Sequence, residues 1–186
     1  HTVKDILINP KFVDQKEELE DLDLVFFERN GLRHGEFSLR LPLNTKVKDI
    51  SWNSSSEVLA IILDHSIQLW TMKNYHWYLK QEIFSIENYK IHSLTWHSEK
   101  PLTFMLVTEK IVEIIDLAYD IISGPTVSPT DVSMTGVIDG KTCNLTPLVI
   151  ANVPPPMAFR EITVKDNVND FAISLKNDKF AIITAN

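Results

Sequence analysis

The chain has 186 residues, 44% of them hydrophobic and 23% charged. That is enough apolar side chain for a globular core, and no stretch approaches the ~18 consecutive apolar residues of a membrane span. Its 18 basic and 25 acidic residues leave a net charge of −7, the wrong sign for the basic face of a nucleic-acid binder, and the single cysteine, Cys143, excludes an intrachain disulfide framework and a multi-cysteine zinc site and fits a reducing compartment.

Residues 1–21 read as an acidic lead-in with no assignable element. The start, His1-Thr2-Val3-Lys4, has no initiator Met, and the expectation is an internal piece of a longer chain. The acid is concentrated in Asp14–Asp23, DQKEELEDLD, with six carboxylates and one lysine. This run reads as a solvated loop rather than a docking site for a basic partner.

Residues 22–122 read as WD40-like blades. Leu24–Glu28 is a strand, Arg29-Asn30-Gly31 a tight hairpin turn and Leu32–Leu41 an outer strand. A repeat follows. Val47–Leu59, VKDISWNSSSEVL, aligns with Ile91–Thr103, IHSLTWHSEKPLT, at an offset of 44 residues that puts Trp52 on Trp96. A weaker third copy is Val168–Phe180, VNDFAISLKNDKF, with Ile173 at the tryptophan position.

Each copy has one local grammar. An alternating strand enters a polar turn, Asn53–Ser56, and a continuous apolar strand follows, Val58–Leu63. After Asp64-His65 comes a strand closing on Ile67-Gln68-Leu69-Trp70, then a fourth, Tyr75–Ile83. In the next copy Val112–Asp116 takes the closing place. Four short strands in some 44 residues is the size of a propeller blade. The expected class is therefore all-β: WD40-type β-propeller blades, four-stranded and antiparallel, in a partial rather than closed propeller. Trp52 and Trp96 are expected to be buried alike between neighbouring blades. Open edges at both ends lead us to expect residues 1–186 alone to be aggregation-prone or oligomeric, and to be rescued by flanking blades.

Residues 123–157 read as a turn- and Pro-rich connector. It runs through Ser123-Gly124-Pro125 and Pro129, contains a hairpin turn at Asp139-Gly140, and ends in NVPPPM, Asn152–Met157. Three consecutive prolines favour an extended segment outside any central strand. Residues 158–186 start a further blade, of this propeller or a second one.

Candidate chemistry is sparse. His92 and His97 straddle Trp96, on opposite faces of a strand, a poor chelate; His1, His34, His65 and His76 show no ligand spacing. Asp116, Asp120 and Asp139 are carboxylates without a partner in the pattern. Asp49 and Asp170 match in the repeat and read as hydrogen-bonding strand-edge residues, not a catalytic pair; Ser93 stands between them in the second copy. Cys143 reads as a buried, inert thiol. No GxGxxG, GxxxxGK[ST] or GxSxG occurs. The cluster Trp70, Tyr75, His76, Trp77, Tyr78 could stack bases, but with only Lys73, Lys80 and Lys90 nearby it reads better as packing. No catalytic, cofactor-binding or metal residue is assigned.

Four strings carry a resemblance: VFFERNGLRHGEF (Val25–Phe37), IQLWTMKNYHWYLKQE (Ile67–Glu82), VIDGKTCNLTPL (Val137–Leu148) and NVPPPM (Asn152–Met157). In this order they resemble the largest, IKAP-type scaffold subunit of the Elongator complex, over about residues 22–186.

The resemblance implies two tandem WD40-type propellers, of which this chain is an internal segment. It implies a non-catalytic scaffold that supports tRNA wobble-uridine modification. The implied partners are the second, propeller-built subunit and the third, catalytic subunit, which carries the iron–sulfur, S-adenosylmethionine and acetyl-CoA sites. No cofactor, no direct tRNA contact and no membrane partner is expected here, and homodimerisation is implied through regions outside this segment. The implied compartment is the cytoplasm, with the nucleus as a second. The alternative is a generic WD40 interaction adaptor in another assembly. A propeller enzyme such as a glycosidase would need convergent carboxylates that the repeats do not supply.

Overall fold

The computed structural model describes residues 5–10, 22–27, 30–41, 45–125, 133–149 and 153–186, with 5–10, 22 and 34 described by backbone only. Residues 14–21 of the acidic run, Pro129 of the connector and Asn152 lie outside the described residues. The chain divides into two units, residues 1–46 and 47–186.

The first unit is a three-stranded antiparallel sheet of β1 (Asp5–Pro10), β2 (Leu22–Phe27) and β3 (Arg33–Ser38), in the order β1-β2-β3. The Asn30-Gly31 turn is as expected. Gly31 takes φ +86°, and Asn30 Oδ1 accepts the Leu32 amide at 2.9 Å. Phe26 stacks on Phe37 at 5.7 Å, and Leu24, Leu39 and Leu41 are buried. Two expectations are corrected. A strand forms at Asp5–Pro10, inside the lead-in that showed no element. Asp23, the end of the acidic run, lies on β2 with only 4% exposure, not in a solvated loop.

The second unit opens with β4 (Asp49–Trp52), β5 (Val58–Ile62), β6 (Ser66–Lys73) and β7 (His76–Phe84), one four-stranded antiparallel sheet in sequence order. All five residues of β5 are buried, which is why it reads as a continuous apolar run. The second copy folds as β8 (Ile91–Trp96), β9 (Thr103–Thr108) and β10 (Val112–Asp116). It stops at three strands, not the expected four. Leu117–Pro125, where a fourth strand would run, turns away: Ser123 bridges Thr135 and the Gly124 amide donates to the Met134 carbonyl at 2.7 Å. Next come β11 (Met134–Asp139), β12 (Thr142–Pro147) and β13 (Arg160–Thr163) in one sheet, and the hairpin β14 (Val168–Ile173) with β15 (Phe180–Thr184).

The repeat is real in three dimensions. Trp52 pairs with Leu59, Trp96 with Phe104 and Ile173 with Phe180. The second copy's turn is one residue longer, so Phe104, not Thr103, stands where Leu59 stands. A different side chain closes each turn. Asn53 Oδ1 accepts the amides of Glu57 (2.9 Å) and Val58 (3.1 Å). His97 Nδ1 accepts those of Glu99 (3.0 Å) and Lys100 (3.1 Å). Ser174 Oγ accepts those of Asp178 (3.3 Å) and Lys179 (3.1 Å). An acceptor directly after the strand satisfies turn amides that would otherwise face water.

Sheets pack face to face. Val58, Ala60, Ile62, Ile67 and Leu69 of the first sheet meet Ile91, Leu94, Phe104 and Leu106 of the second, with Trp96 and Ile115 at the margin. In the same way Ile138, Cys143 and Leu145 meet Val168 and Phe171. Trp52 and Trp96 are both half-buried, as their matched places require, but their neighbours differ. The Trp52 ring lies 5.9 Å from Trp77. Trp96 stands edge-on to Phe104 at 5.1 Å, and its Nε1 donates to the Ser51 carbonyl at 3.3 Å.

Candidate functional site

Polar side chains converge along β7. His76, Tyr78 and Lys80 share one side of the strand: the His76 and Tyr78 rings meet edge-on at 4.6 Å, and Lys80 Nζ sits 4.5 Å over the Tyr78 ring. The Asp139-Gly140 turn of β11–β12 docks against them, with Gly140 at φ +61°. Asp139 accepts His76 Nε2 at 2.9 Å and the Leu79 amide at 3.1 Å, while the Gly140 amide donates to the Leu79 carbonyl at 2.8 Å. Lys80 Nζ donates to the Ile138 carbonyl at 2.9 Å. A buried carboxylate persists only with such partners. Because a carboxylate only accepts, His76 carries its proton on Nε2.

The electrostatics follow from burial. Desolvation lowers the Lys80 amine below the ordinary lysine value, and the nearby Asp139 charge opposes it. Desolvation pushes the Tyr78 phenol up, and Asp139 adds to that shift. Further along β7, Glu82 and Asn169 exchange backbone and side-chain bonds. The Glu82 amide donates to Asn169 Oδ1 at 2.9 Å, and Asn169 Nδ2 donates to the Glu82 carbonyl at 2.8 Å. The Glu82 carboxylate accepts Ser66 Oγ at 3.0 Å and Asn167 Nδ2.

Beside this seam lies a cavity of about 400 Å³, lined by Val58, Leu69, Leu117, Ile122, Val137 and Ile138, with Lys80, Asp120 and Asp170 at its polar points. Its size is that of a small-ligand pocket. Its polar groups are tied locally: Lys80 to Ile138, Asp120 to the Ile121 amide (2.7 Å) and Asp170 to the Phe171 amide (2.7 Å).

The residues singled out in the sequence do not converge. Asp116 accepts Thr103 Oγ1 at 2.6 Å. Asp49 binds the amide of its own successor, Ile50, at 2.8 Å, as its repeat partner Asp170 does with Phe171; strand-edge hydrogen bonding was the expected role. His92 is exposed on β8, and His97 caps its turn. Burial pushes the Cys143 thiol up to about 11, and the residue is fully buried. The aromatic cluster divides: Trp70 and Tyr78 are buried, Trp77 is half-buried, and Tyr75 stands fully exposed at the tip of the β6–β7 hairpin. It makes no single stacking platform. Asn74 at that tip donates to the Pro155 carbonyl at 3.2 Å, and Lys90 Nζ is 3.7 Å from Asp64. Asp139 does have a partner, His76. Nothing in the spacing announces the pair, which joins residues 63 positions apart.

The His76–Asp139 bond, with the Gly140 amide on the Leu79 carbonyl, ties β7 to the β11–β12 turn and so joins two sheets. Antiparallel sheets of one repeating pattern, stacked face to face around inter-sheet cores, are blades, and the class they define is the β-propeller. Residues 11–99 match the ELP1 first N-terminal beta-propeller and residues 137–186 the ELP1 N-terminal second beta-propeller; the chain belongs to the Elongator complex protein 1 family.

Among its relatives, Elongator complex protein 1 of Saccharomyces cerevisiae is 50% identical over 166 residues, 89% of this chain and 12% of that protein. The Schizosaccharomyces pombe protein of the same name is 41% identical over 157 residues, 83% of this chain and 12% of its own length. That of Mus musculus is 36% identical over 181 residues, 88% of this chain and 14% of its length. The chain thus spans about an eighth of the length of these relatives. Among solved structures, the β-propeller domain of Myceliophteria thermophila Cps50 (Swd1) shares 9% identity at a TM-score of 0.34, covering 88% of this chain and 56% of that one, too distant to carry an argument.

Proposed function

We propose that the chain is a non-catalytic scaffold segment of the Elongator complex, supporting wobble-uridine (U34) modification of tRNA by the complex's catalytic subunit. The observation that carries this reading is the pair of matches to two successive ELP1 propellers within one chain. The polar seam along β7 supports it, because its carboxylates and amides are engaged in holding sheets to one another. The partners in this reading are the second, propeller-built subunit and the third, catalytic subunit. A net charge of −7 favours tRNA contacts elsewhere in the assembly. Homodimerisation belongs to regions outside this segment, and the compartment is the cytoplasm, with the nucleus as a second.

The test is affinity purification of the full-length protein, with U34 nucleosides of bulk tRNA quantified by mass spectrometry. The wild type should bring down the other Elongator subunits, and Asp139→Ala should weaken that recovery and lower U34 modification together. A full-length protein that recovers a different assembly, with U34 unchanged on its deletion, would favour the adaptor reading instead.

A further inference from the structure

Two hairpin turns of this chain set a carboxamide or carboxyl side chain directly before a glycine. Asn30-Gly31, the single Asn-Gly step in the sequence, lies between β2 and β3, and Asp139-Gly140 lies between β11 and β12. The same chemistry is open to both. The glycine nitrogen can attack the side-chain carbonyl carbon before it and close a succinimide ring. Glycine, with no Cβ and a wide choice of φ, hinders that closure least. The fold treats the two turns in opposite ways.

Asp139-Gly140 is locked. Asp139 is 8% exposed, its carboxylate accepts His76 Nε2 and the Leu79 amide, and the Gly140 amide that would attack donates to the Leu79 carbonyl at 2.8 Å. Asn53, which precedes Ser54, is locked as well, 3% exposed with Oδ1 on two amides of its own turn. Asn30-Gly31 is not docked in this way. Asn30, Gly31 and Leu32 are all exposed, and beyond the chain neighbours a Cβ on Gly31 would have no described atom within 4 Å. That leaves room for the backbone rotation of ring closure and for the water that ends the reaction. The side chain is also folded the right way. Asn30 Oδ1 accepts the Leu32 amide at 2.9 Å, an Asx turn that brings Cγ back over the Gly31 peptide. The same amide faces the oxygen on which negative charge develops as the nitrogen adds.

We propose that Asn30 is a site of spontaneous deamidation in the folded protein. Hydroxide takes the Gly31 amide proton, the nitrogen bonds to Asn30 Cγ, and the Cγ–Nδ2 bond breaks, releasing ammonia with a proton taken from water. Water then opens the succinimide. Cleavage at the former backbone carbonyl gives isoaspartate, with the main chain rerouted through Cγ, and cleavage at Cγ gives aspartate. In net terms one water enters and one ammonia leaves. Either product puts a carboxylate where an amide stood, and isoaspartate also adds a methylene to the backbone between β2 and β3. Loop length sets hairpin register, so the β2–β3 pairing, with its Phe26–Phe37 stack, bears the change.

The experiment ages the full-length protein at mildly alkaline pH, native and urea-unfolded side by side, and follows Asn30, Asn53 and Asp139 by peptide mapping with mass spectrometry. Isoaspartate is separated from aspartate by its retention time. Native Asn30 should convert at a rate comparable with that of the unfolded chain, with isoaspartate among its products. Asn53 deamidation and Asp139 isomerisation should each be slowed by about tenfold or more in the native protein, because their turns must open first. Gly31→Ala, whose Cβ crowds the attacking nitrogen, should slow Asn30 by about tenfold. Native Asn30 that stays intact while the unfolded chain converts overturns the proposal, since the fold then protects the turn. Aspartate without isoaspartate also overturns it, since direct hydrolysis needs no succinimide. The wild-type product mixture keeps the test decisive if Gly31→Ala does not fold.

Discussion

Asn169 pairs with Glu82 as one strand pairs with another. Its carboxamide accepts the Glu82 amide at 2.9 Å and donates to the Glu82 carbonyl at 2.8 Å. One side chain thus supplies the donor and acceptor that a neighbouring peptide would offer, on the outer edge of β7. Three residues back, the Asp139-Gly140 turn does the same for Leu79 with a carboxylate and an amide. An edge strand left bare is a template for unwanted pairing; here it is closed by two point contacts.

Asn169→Ala should lower stability by about 1–3 kcal/mol, because it leaves the Glu82 amide and carbonyl without a protein partner. Asn169→Asp should be at least as damaging, since it keeps the acceptor but sets a carboxylate against the Glu82 carbonyl. Urea unfolding midpoints check both. An Asp variant as stable as the wild type would mean the donor half of the pair contributes nothing.

The three turn caps predict an exchange rule. Asn53→Ala, His97→Ala and Ser174→Ala should each cost about 1 kcal/mol. His97→Asn should be nearly neutral, because Asn places Oδ1 where the imidazole places Nδ1. His97 caps its turn only with Nδ1 unprotonated, as two amides donate to it. Thermal melts of the two His97 variants side by side are the measurement.

Cys143 should resist thiol reagents. Its buried thiol, pushed up to about 11 from an ordinary 9.0, is almost wholly protonated at pH 8. Labelling by a water-soluble disulfide should therefore require unfolding. The linkage has a definite sign. A folded value raised above the unfolded one contributes stability that is fully present below about pH 9 and is lost as pH climbs through about 11. Lys80, lowered by burial, has the opposite dependence, but it cancels when wild type is compared with Cys143→Ala. The stability gap between those two proteins should narrow between pH 9 and 11.

Gly136 is held by space, not by turn geometry. A Cβ there would lie 3.0 Å from Ile122 Cγ2 and from Phe171 Cε1, inside the contact between the β11 and β14 sheets. Gly136→Ala should destabilise by about 1–3 kcal/mol through overpacking. Adding Phe171→Leu should recover part of the loss, which calorimetry of the single and double variants would show.

How far the sequence was readable depended on the range of the contact. The 44-residue offset exposed β4 and β8, and the weaker third copy exposed β14, because alternation and a polar turn are local properties. Asp139-Gly140 was legible as a hairpin for the same reason. The resemblance strings pointed to the right family. The His76–Asp139 and Glu82–Asn169 pairs were not legible, since each joins residues on different sheets and no spacing records which sheets meet. Strand β1 was hidden by its setting: Ile6-Leu7-Ile8 is a short run closed by Pro10 and followed by the acidic stretch. The missing fourth strand of the second copy escaped because Ile121 and Ile122 look like strand residues, while the pull of β11 on Ser123 and Gly124 is tertiary.

The seam along β7 also orders events in time. Neighbouring strands close loops of a few residues, but Asn169 reaches Glu82 across 87 positions and His76 reaches Asp139 across 63. Joining the ends of a flexible loop of the longer size costs roughly 4 kcal/mol of chain entropy. Hairpins therefore form first, and the seam locks after the sheets exist. Weakening a bond made that late speeds escape from the native state and leaves the approach to it almost untouched. In stopped-flow chevrons, Asn169→Ala should raise the unfolding limb and barely move the refolding limb, so the side chain governs how long the assembled blades stay together rather than how quickly they assemble.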